Sequence, residues 1–152
     1  MQTSQQQRRS ARIILLDERN TVLLIRFSVT REAKQFVFWA TPGGGVEDGE
    51  SEIEAAQREL AEELHLHIPL TGPVHAANST FEHKGATVEN TDVFFFGRCS
   101  RAAPRLDAVT EDERDAMQLA RWWSPAEIEQ SEERIFPPDL GPVIRALAMC
   151  KS

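Results

Sequence analysis

The chain has 152 residues, 41% hydrophobic and 27% charged, with a formal net charge of −7, which suits one soluble domain able to bury its own core. No apolar run approaches the ~20 residues of a membrane helix, the lone Cys99 and Cys150 form neither a disulfide framework nor a Cys-x-x-Cys zinc pattern, and the Gln-rich start has no signal-peptide character. The acidic balance excludes a broad grip on duplex nucleic acid, which needs clustered Lys and Arg, and the cysteine usage points to the cytoplasm.

Residues 1–9 read as a polar tail ahead of a single domain over 10–152. Residues 11–16 form an apolar run interrupted only by Arg12, Asp17 to Asn20 supply turn residues, and Thr21 to Phe27 resume the apolar pattern, so two adjacent strands are expected. Phe36 to Trp39 make a third short strand, stopped by Pro42 and Gly43, Gly44 and Gly45. Residues 52–64 are the clearest helix: Ser51 and Glu54 have capping-box spacing, and Ile53, Ala56, Leu60 and Leu64 share one apolar face. Val74 to Phe81 and Val88 to Gly97 read as strands turning near Lys84-Gly85. Residues 100–114 are polar and aperiodic, a long loop of the kind that often carries function. Trp122 and Trp123 end a short strand, with one ring in the core and the other partly exposed. Ser124-Pro125-Ala126-Glu127 opens a helix, and a last helix spans about Asp139 to Met149. The interleaving predicts an α/β (α+β) fold with a mixed sheet flanked by helices.

The end of the 52–64 helix is unfavourable if stability is its only task. Glu59, Glu62 and Glu63 stand at i, i+3 and i+4 on one face, and no Lys or Arg follows at i+3 or i+4. Each like-charge pair costs about 0.2–0.5 kcal/mol, and carboxylates in the last turn oppose the helix dipole. A divalent cation would resolve the repulsion, because hard cations take oxygen ligands and can bridge an acidic protein to a phosphate.

The residues before this turn extend the pattern. Gly44 is followed by five residues and Glu50, then seven residues and Arg58-Glu59-Leu60-Ala61-Glu62-Glu63-Leu64-His65-Leu66. This resembles the Nudix box of the Nudix (MutT-like) hydrolases over residues 44–66, with His65 where that pattern has a second Gly. The position follows the helix end, where Gly takes the left-handed conformation, so His65 is expected there at roughly 1 kcal/mol of local stability.

The resemblance implies an α/β/α sandwich with the box as a loop–helix–loop. It also implies hydrolysis of nucleoside diphosphates linked to another moiety, or of (d)NTPs, with Mg²⁺ or Mn²⁺. Carried over by position, Glu59, Glu62 and Glu63 are the metal ligands, with the Gly43 carbonyl as a further one. Glu59 and Glu62 also serve the catalytic step, Arg58 holds Glu59, and Glu113, the choice among Glu111, Asp112 and Glu113, is the candidate base outside the box. On the substrate side stand Arg26 at the end of the second strand, Gly44 and the box residue Glu50, which supports the metal site or its loop. Phe27, Trp39 and Phe81 are available for stacking on a nucleobase or for the core.

The chain has no Tyr, so the tyrosine that marks some dinucleoside-polyphosphate hydrolases of the family is missing. A nucleotide-type small molecule is the implied partner, no membrane is involved, and a homodimer follows family habit. Two alternatives are a Nudix-fold sensor that binds a nucleotide without cleaving it, and an isomerase using Cys99 as its catalytic thiol.

Overall fold

The strand that organises the molecule is β1 (Gln6–Leu16), whose apolar run from Ile13 to Leu16 is continuous because both of its faces are covered. Ala11, Ile13 and Leu15 pack toward Leu60 and Leu64 of α1 (Glu52–Leu64). Ile14 and Leu16 pack with Trp39, Trp123, Leu140 and Ile144 on the other side. The computed structural model describes residues 6–31, 33–83, 85–105 and 117–149.

The remaining strands are β2 (Val22–Arg31), β3 (Lys34–Ala40), β4 (Gly43–Gly45), β5 (Thr71–His83), β6 (Ala86–Arg98), β7 (Met117–Trp123) and β8 (Ile135–Phe136). They form a mixed sheet in the order β5-β6-β1-β2-β3-β8, with β4 added to β1 and β7 to β2. β1 runs parallel to β6 over its whole length and antiparallel to β4, which places the glycines beside its middle. The helices α2 (Pro125–Gln130) and α3 (Leu140–Met149) cover the face opposite α1. The expected α/β/α layering around a mixed sheet is what the chain adopts.

Three differences matter. The expected tail overlaps β1: residues 6–9 are strand, paired with Val88 to Thr91, because the parallel ladder with β6 satisfies their backbone groups despite polar side chains. The glycines after Pro42 do not end in a loop; Gly43–Gly45 pairs with Ser10–Arg12, and a Cβ on Gly43 would strike the Ala11 carbonyl. The two-residue β8 has too little pattern to be read from sequence, and it is held by parallel pairing with Trp39 and Ala40. The tryptophans divide as expected, Trp123 in the core and Trp122 half-buried.

Helix α1 starts with a complete capping box, Ser51 Oγ accepting from the Glu54 N–H at 3.2 Å and Glu54 Oε1 from the Ser51 N–H at 2.8 Å. It ends at His65, which takes the left-handed conformation (φ 56°, ψ 34°) expected for the position where the resembling pattern has Gly.

Candidate active site

The acidic turn of α1 faces the glycines of β4. A Cβ on Gly44 would collide with the Glu59 carboxylate, so glycine is what lets this backbone pass the helix. Gly43 (φ +142°) has a backbone conformation L side chains rarely adopt, and its N–H donates to Glu63 Oε1 at 2.9 Å. Glu59 and Glu63 are only 9% and 5% exposed, so the acidic face is not a solvated one; Glu62 alone stands in water.

One cation organises these carboxylates, and it precedes them. Arg58 donates through Nε and Nη2 to the two oxygens of Glu50 at 2.7 and 3.0 Å. Its Nη1 donates to Glu59 at 2.9 Å and Glu62 at 3.2 Å, and its Nη2 to the Gly45 carbonyl at 3.0 Å. Looking only three and four residues beyond each glutamate misses this pairing, because Arg58 lies one turn before Glu62. The hydrogen bonds from Arg58, joined by one from the Glu47 N–H, hold the Glu50 carboxyl down at about 2. Both Glu50 oxygens are thus engaged by Arg58, which makes Glu50 a residue that fixes the clamp.

The donors suit a hard divalent cation in kind: three carboxylates on one rigid turn, two of them withdrawn from solvent, with the Glu59 carboxylate seated against the Cβ-free Gly44. Among the described residues, no three acidic, His or Cys side chains already converge as a cage, since Glu62 is turned to Arg58. The Gly43 carbonyl accepts from Arg12 Nη1 at 3.4 Å.

A cavity of about 690 Å³ opens on the face of β1 away from α1. Arg12 and Thr41 line it, and Arg12 Nη1 also donates to the Thr41 carbonyl at 3.3 Å, so the cavity reaches the peptide segment that holds Glu63. Its polar floor comes from Arg8, Ser10 and Arg12 of β1 and Asn90 and Asp92 of β6; Phe36, Phe38 and Phe136 add aromatic surface. Sequence reasoning passed over these floor residues. Arg9, Glu89 and Thr91, interleaved with them, are polar too, so no alternation in the sequence marks these positions.

The other candidates lie apart. Arg26 sits on β2 opposite Trp39 and does not line the cavity. Trp39 is core, its ring at 5.1 Å from Trp123, and Phe27 stacks on Phe38. Cys99 packs beneath α1 against the core, away from the cavity, and burial, then Asp17 and Glu18, push its thiol up to about 11. A thiol so placed does not support the isomerase alternative. Glu111, Asp112 and Glu113 lie outside the described residues, as does the side chain of Phe81.

The sequence matches the NUDIX domain family over residues 6–147. Among solved structures, the chain is similar to the MutT protein from Methanosarcina mazei Go1 (21% identity, 97% of each chain covered, TM-score 0.69). It is similar to the E. coli dihydroneopterin triphosphate pyrophosphohydrolase (17% identity, 93% of this chain and 94% of that one, TM-score 0.66). It is also similar to a C. elegans Ap4A hydrolase (19% identity, 93% and 95% covered, TM-score 0.58). At these identities the likeness shows the fold.

Proposed function

We propose that this chain, which belongs to the Nudix hydrolase family, cleaves the diphosphate linkage of a nucleoside diphosphate derivative or nucleoside triphosphate at a site built on Glu59, Glu62 and Glu63. The observation that carries the proposal is the Arg58 clamp: one guanidinium ties Glu50, Glu59 and Glu62 together while the Gly43 N–H fixes Glu63. Such an arrangement orders carboxylates on one face of β1, while a cavity wide enough for a nucleotide ring opens on the other face and is joined to them through Arg12 and Gly43.

These three glutamates would hold Mg²⁺ or Mn²⁺, with the Gly43 carbonyl as a further oxygen once released from Arg12. The ion supplies charge neutralisation at the diphosphate and a lowered pKa for water near neutral pH. The chain's own residues do the rest. Glu59, held by Arg58, orients the attacking water and accepts its hydrogen bond. Arg8 and Arg12, on the cavity side of β1, meet the anionic phosphates. The cavity takes the ring and so sets which phosphate reaches the acidic turn. Glu113 is our candidate for the base that takes the water's proton. The cysteine usage supports a cytoplasmic enzyme.

The test is hydrolysis of a panel of dNTPs, oxidised dGTP, ADP-ribose, nucleotide sugars, NADH, dinucleoside polyphosphates and coenzyme A with Mg²⁺ or Mn²⁺, products resolved by chromatography. Glu63→Gln keeps the acceptor for the Gly43 N–H but removes the charge, so it should fold and lose at least about 100-fold in turnover. Near-wild-type rates in Glu63→Gln would sink the assignment. Nucleotide binding with no cleavage of any member would instead support the sensor alternative.

A further inference from the structure

Asp17 is a buried carboxylate that the acidic turn of α1 does not use, and one of its partners lies far along the chain. At the turn after β1 it accepts from the N–H groups of Arg19 and Thr21 at 3.0 and 2.8 Å, bonds that close such a turn without help from elsewhere. Its side chain is nonetheless fully buried, and its second oxygen accepts from Arg101 Nε at 2.8 Å. Arg101 also donates through Nη2 to Thr21 Oγ1 at 3.1 Å and through its N–H to Glu18 Oε1 at 3.0 Å. Its carbonyl accepts from Trp122 Nε1 at 3.1 Å. Side chain and backbone of this one residue are thus fixed to the β1–β2 turn and to β7.

What Arg101 fixes is a strap, residues 99–105, that leaves the sheet where β6 ends at Arg98 and crosses to the end of α1. At its start the Cys99 N–H donates to the Leu16 carbonyl at 3.1 Å. Cys99 and Ala103 pack against the cluster that contains Leu60 and Leu64. At its far end the Arg105 N–H donates to the Leu64 carbonyl at 3.0 Å. The carbonyls of a last helical turn have no partner within the helix, and this one belongs to the residue after Glu63. The turn needs such a support. Its carboxylates repel one another and oppose the dipole, and it closes on His65 in the left-handed conformation instead of on a glycine.

We infer that Arg101, locked to Asp17, is a positioning residue for the acidic turn: it seats the strap whose Arg105 N–H holds the Leu64 carbonyl, and so sets where Glu62 and Glu63 stand. This rests on the proposed hydrolase reading for what the carboxylates do. It adds a second support, at the C-terminal end of the helix, to the Arg58 clamp that precedes the carboxylates in the chain. A cation must meet its oxygens together, so a site loses affinity when the groups that orient its ligands are removed.

The experiment compares Arg101→Ala with the wild type well below both unfolding transitions. Mn²⁺ affinity of the full chain is read from the paramagnetic resonance of the free ion, with Glu63→Gln marking the binding that belongs to the acidic turn. Hydrogen exchange of the His65 and Arg105 amides is read in the metal-free chain. Arg101→Ala should weaken Mn²⁺ roughly 10-fold, the low end of what a supporting partner contributes. At saturating metal kcat should fall by a similar factor with KM nearly unchanged, because the cavity lies on the other face of β1. Exchange at His65 and Arg105 should quicken about 10-fold beyond any change at the core amide of Ile14. Arg101→Lys, which returns a cation to Asp17, should recover Mn²⁺ affinity to within about 3-fold of wild type. Should Arg101→Ala fail to fold with Asp17 uncompensated, Asp17→Asn combined with Arg101→Ala removes both charges, keeps an acceptor for Arg19 and Thr21, and should show the same losses. Wild-type Mn²⁺ affinity in either folded variant, or unchanged exchange at His65, overturns the inference. Mn²⁺ binding that survives Glu63→Gln overturns the proposed function instead, and exchange at His65 and Arg105 then still decides whether the strap holds the turn.

Discussion

Replacing Arg58 with Ala isolates what one cation does for the acidic turn. The guanidinium is 22% exposed and bonds Glu50, Glu59, Glu62 and the Gly45 carbonyl. Without it, Glu59 faces Glu62 and Glu63 at i+3 and i+4, at about 0.2–0.5 kcal/mol per pair. Carboxylates in a last helical turn add about 0.3–1 kcal/mol against the dipole. Removing one partner of a buried pair costs about 3–5 kcal/mol, whereas an exposed pair contributes about 0–1. Glu59 is at the buried end of that range and Glu62, with 57% of its side chain exposed, at the other. The expected loss is therefore about 2 kcal/mol, or about 4–8 °C in Tm for a domain of this length. Urea denaturation measures the loss directly, and because the residue of the change is repulsion, added salt should recover more stability in the variant than in the wild type. Turnover should fall about 10- to 100-fold as Glu59 loses its orientation. Wild-type stability and turnover in Arg58→Ala would refute the reasoning: the acidic turn would then be a screened surface patch that needs no clamp.

Three further outcomes follow from other parts of the molecule. His65→Gly relieves a left-handed residue costing about 1–2 kcal/mol against about 0.5–1 of added chain entropy, so Tm should rise by roughly 1–4 °C; a lower Tm would show that the His65 side chain outweighs the strain. Burial alone would push the Asp17 carboxyl up, but hydrogen bonds from Thr21, Arg101 and Arg19 outweigh it and hold it at about 2, like Glu50, while the unfolded values are 3.8 and 4.5. Both groups therefore contribute stability above pH of about 4.5 that is lost as pH falls through about 2; acid titration of the urea midpoint should show it, and Asp17→Asn should flatten the slope. Cys99→Ser should leave turnover within about 2-fold, because the thiol is half-buried against the core, does not line the cavity and is uncharged at neutral pH; a dead variant would reopen the isomerase alternative.

What could be read in the sequence was what local chemistry sets. The α1 helix, its capping box and the left-handed residue at its end depend on neighbours within a turn, and all three stand in the structure as expected. The strands β2, β3, β5, β6 and β7 were legible from apolar runs and breakers. What stayed hidden depends on partners far along the chain. The strand character of residues 6–9 comes from β6, some 80 residues away, and β4 exists because three glycines fit against β1. The burial of Glu59 and Glu63 has the same origin, since it is Gly43 and Gly44 that let the backbone close over the helix. Arg26 stands opposite Trp39 on β2, while Arg8 and Arg12 of β1 are among the residues that line the cavity.

The two halves of the site meet on β1, and this explains why its register matters more than its composition. Odd-numbered Ala11, Ile13 and Leu15 carry α1, with its acidic turn, on one face. Even-numbered Arg8, Ser10 and Arg12 floor the cavity on the other. Arg12 joins the two: its Nε holds Asp92 at 3.4 Å, and its Nη1 holds the carbonyl of the same Gly43 whose N–H fixes Glu63. A one-residue slip of β1 against β6 would exchange the faces, burying two guanidinium groups under α1 and emptying the cavity floor. Burying those guanidinium groups is what makes the slip costly, so the polar first half of β1 fixes the cavity floor and the carboxylates in one frame.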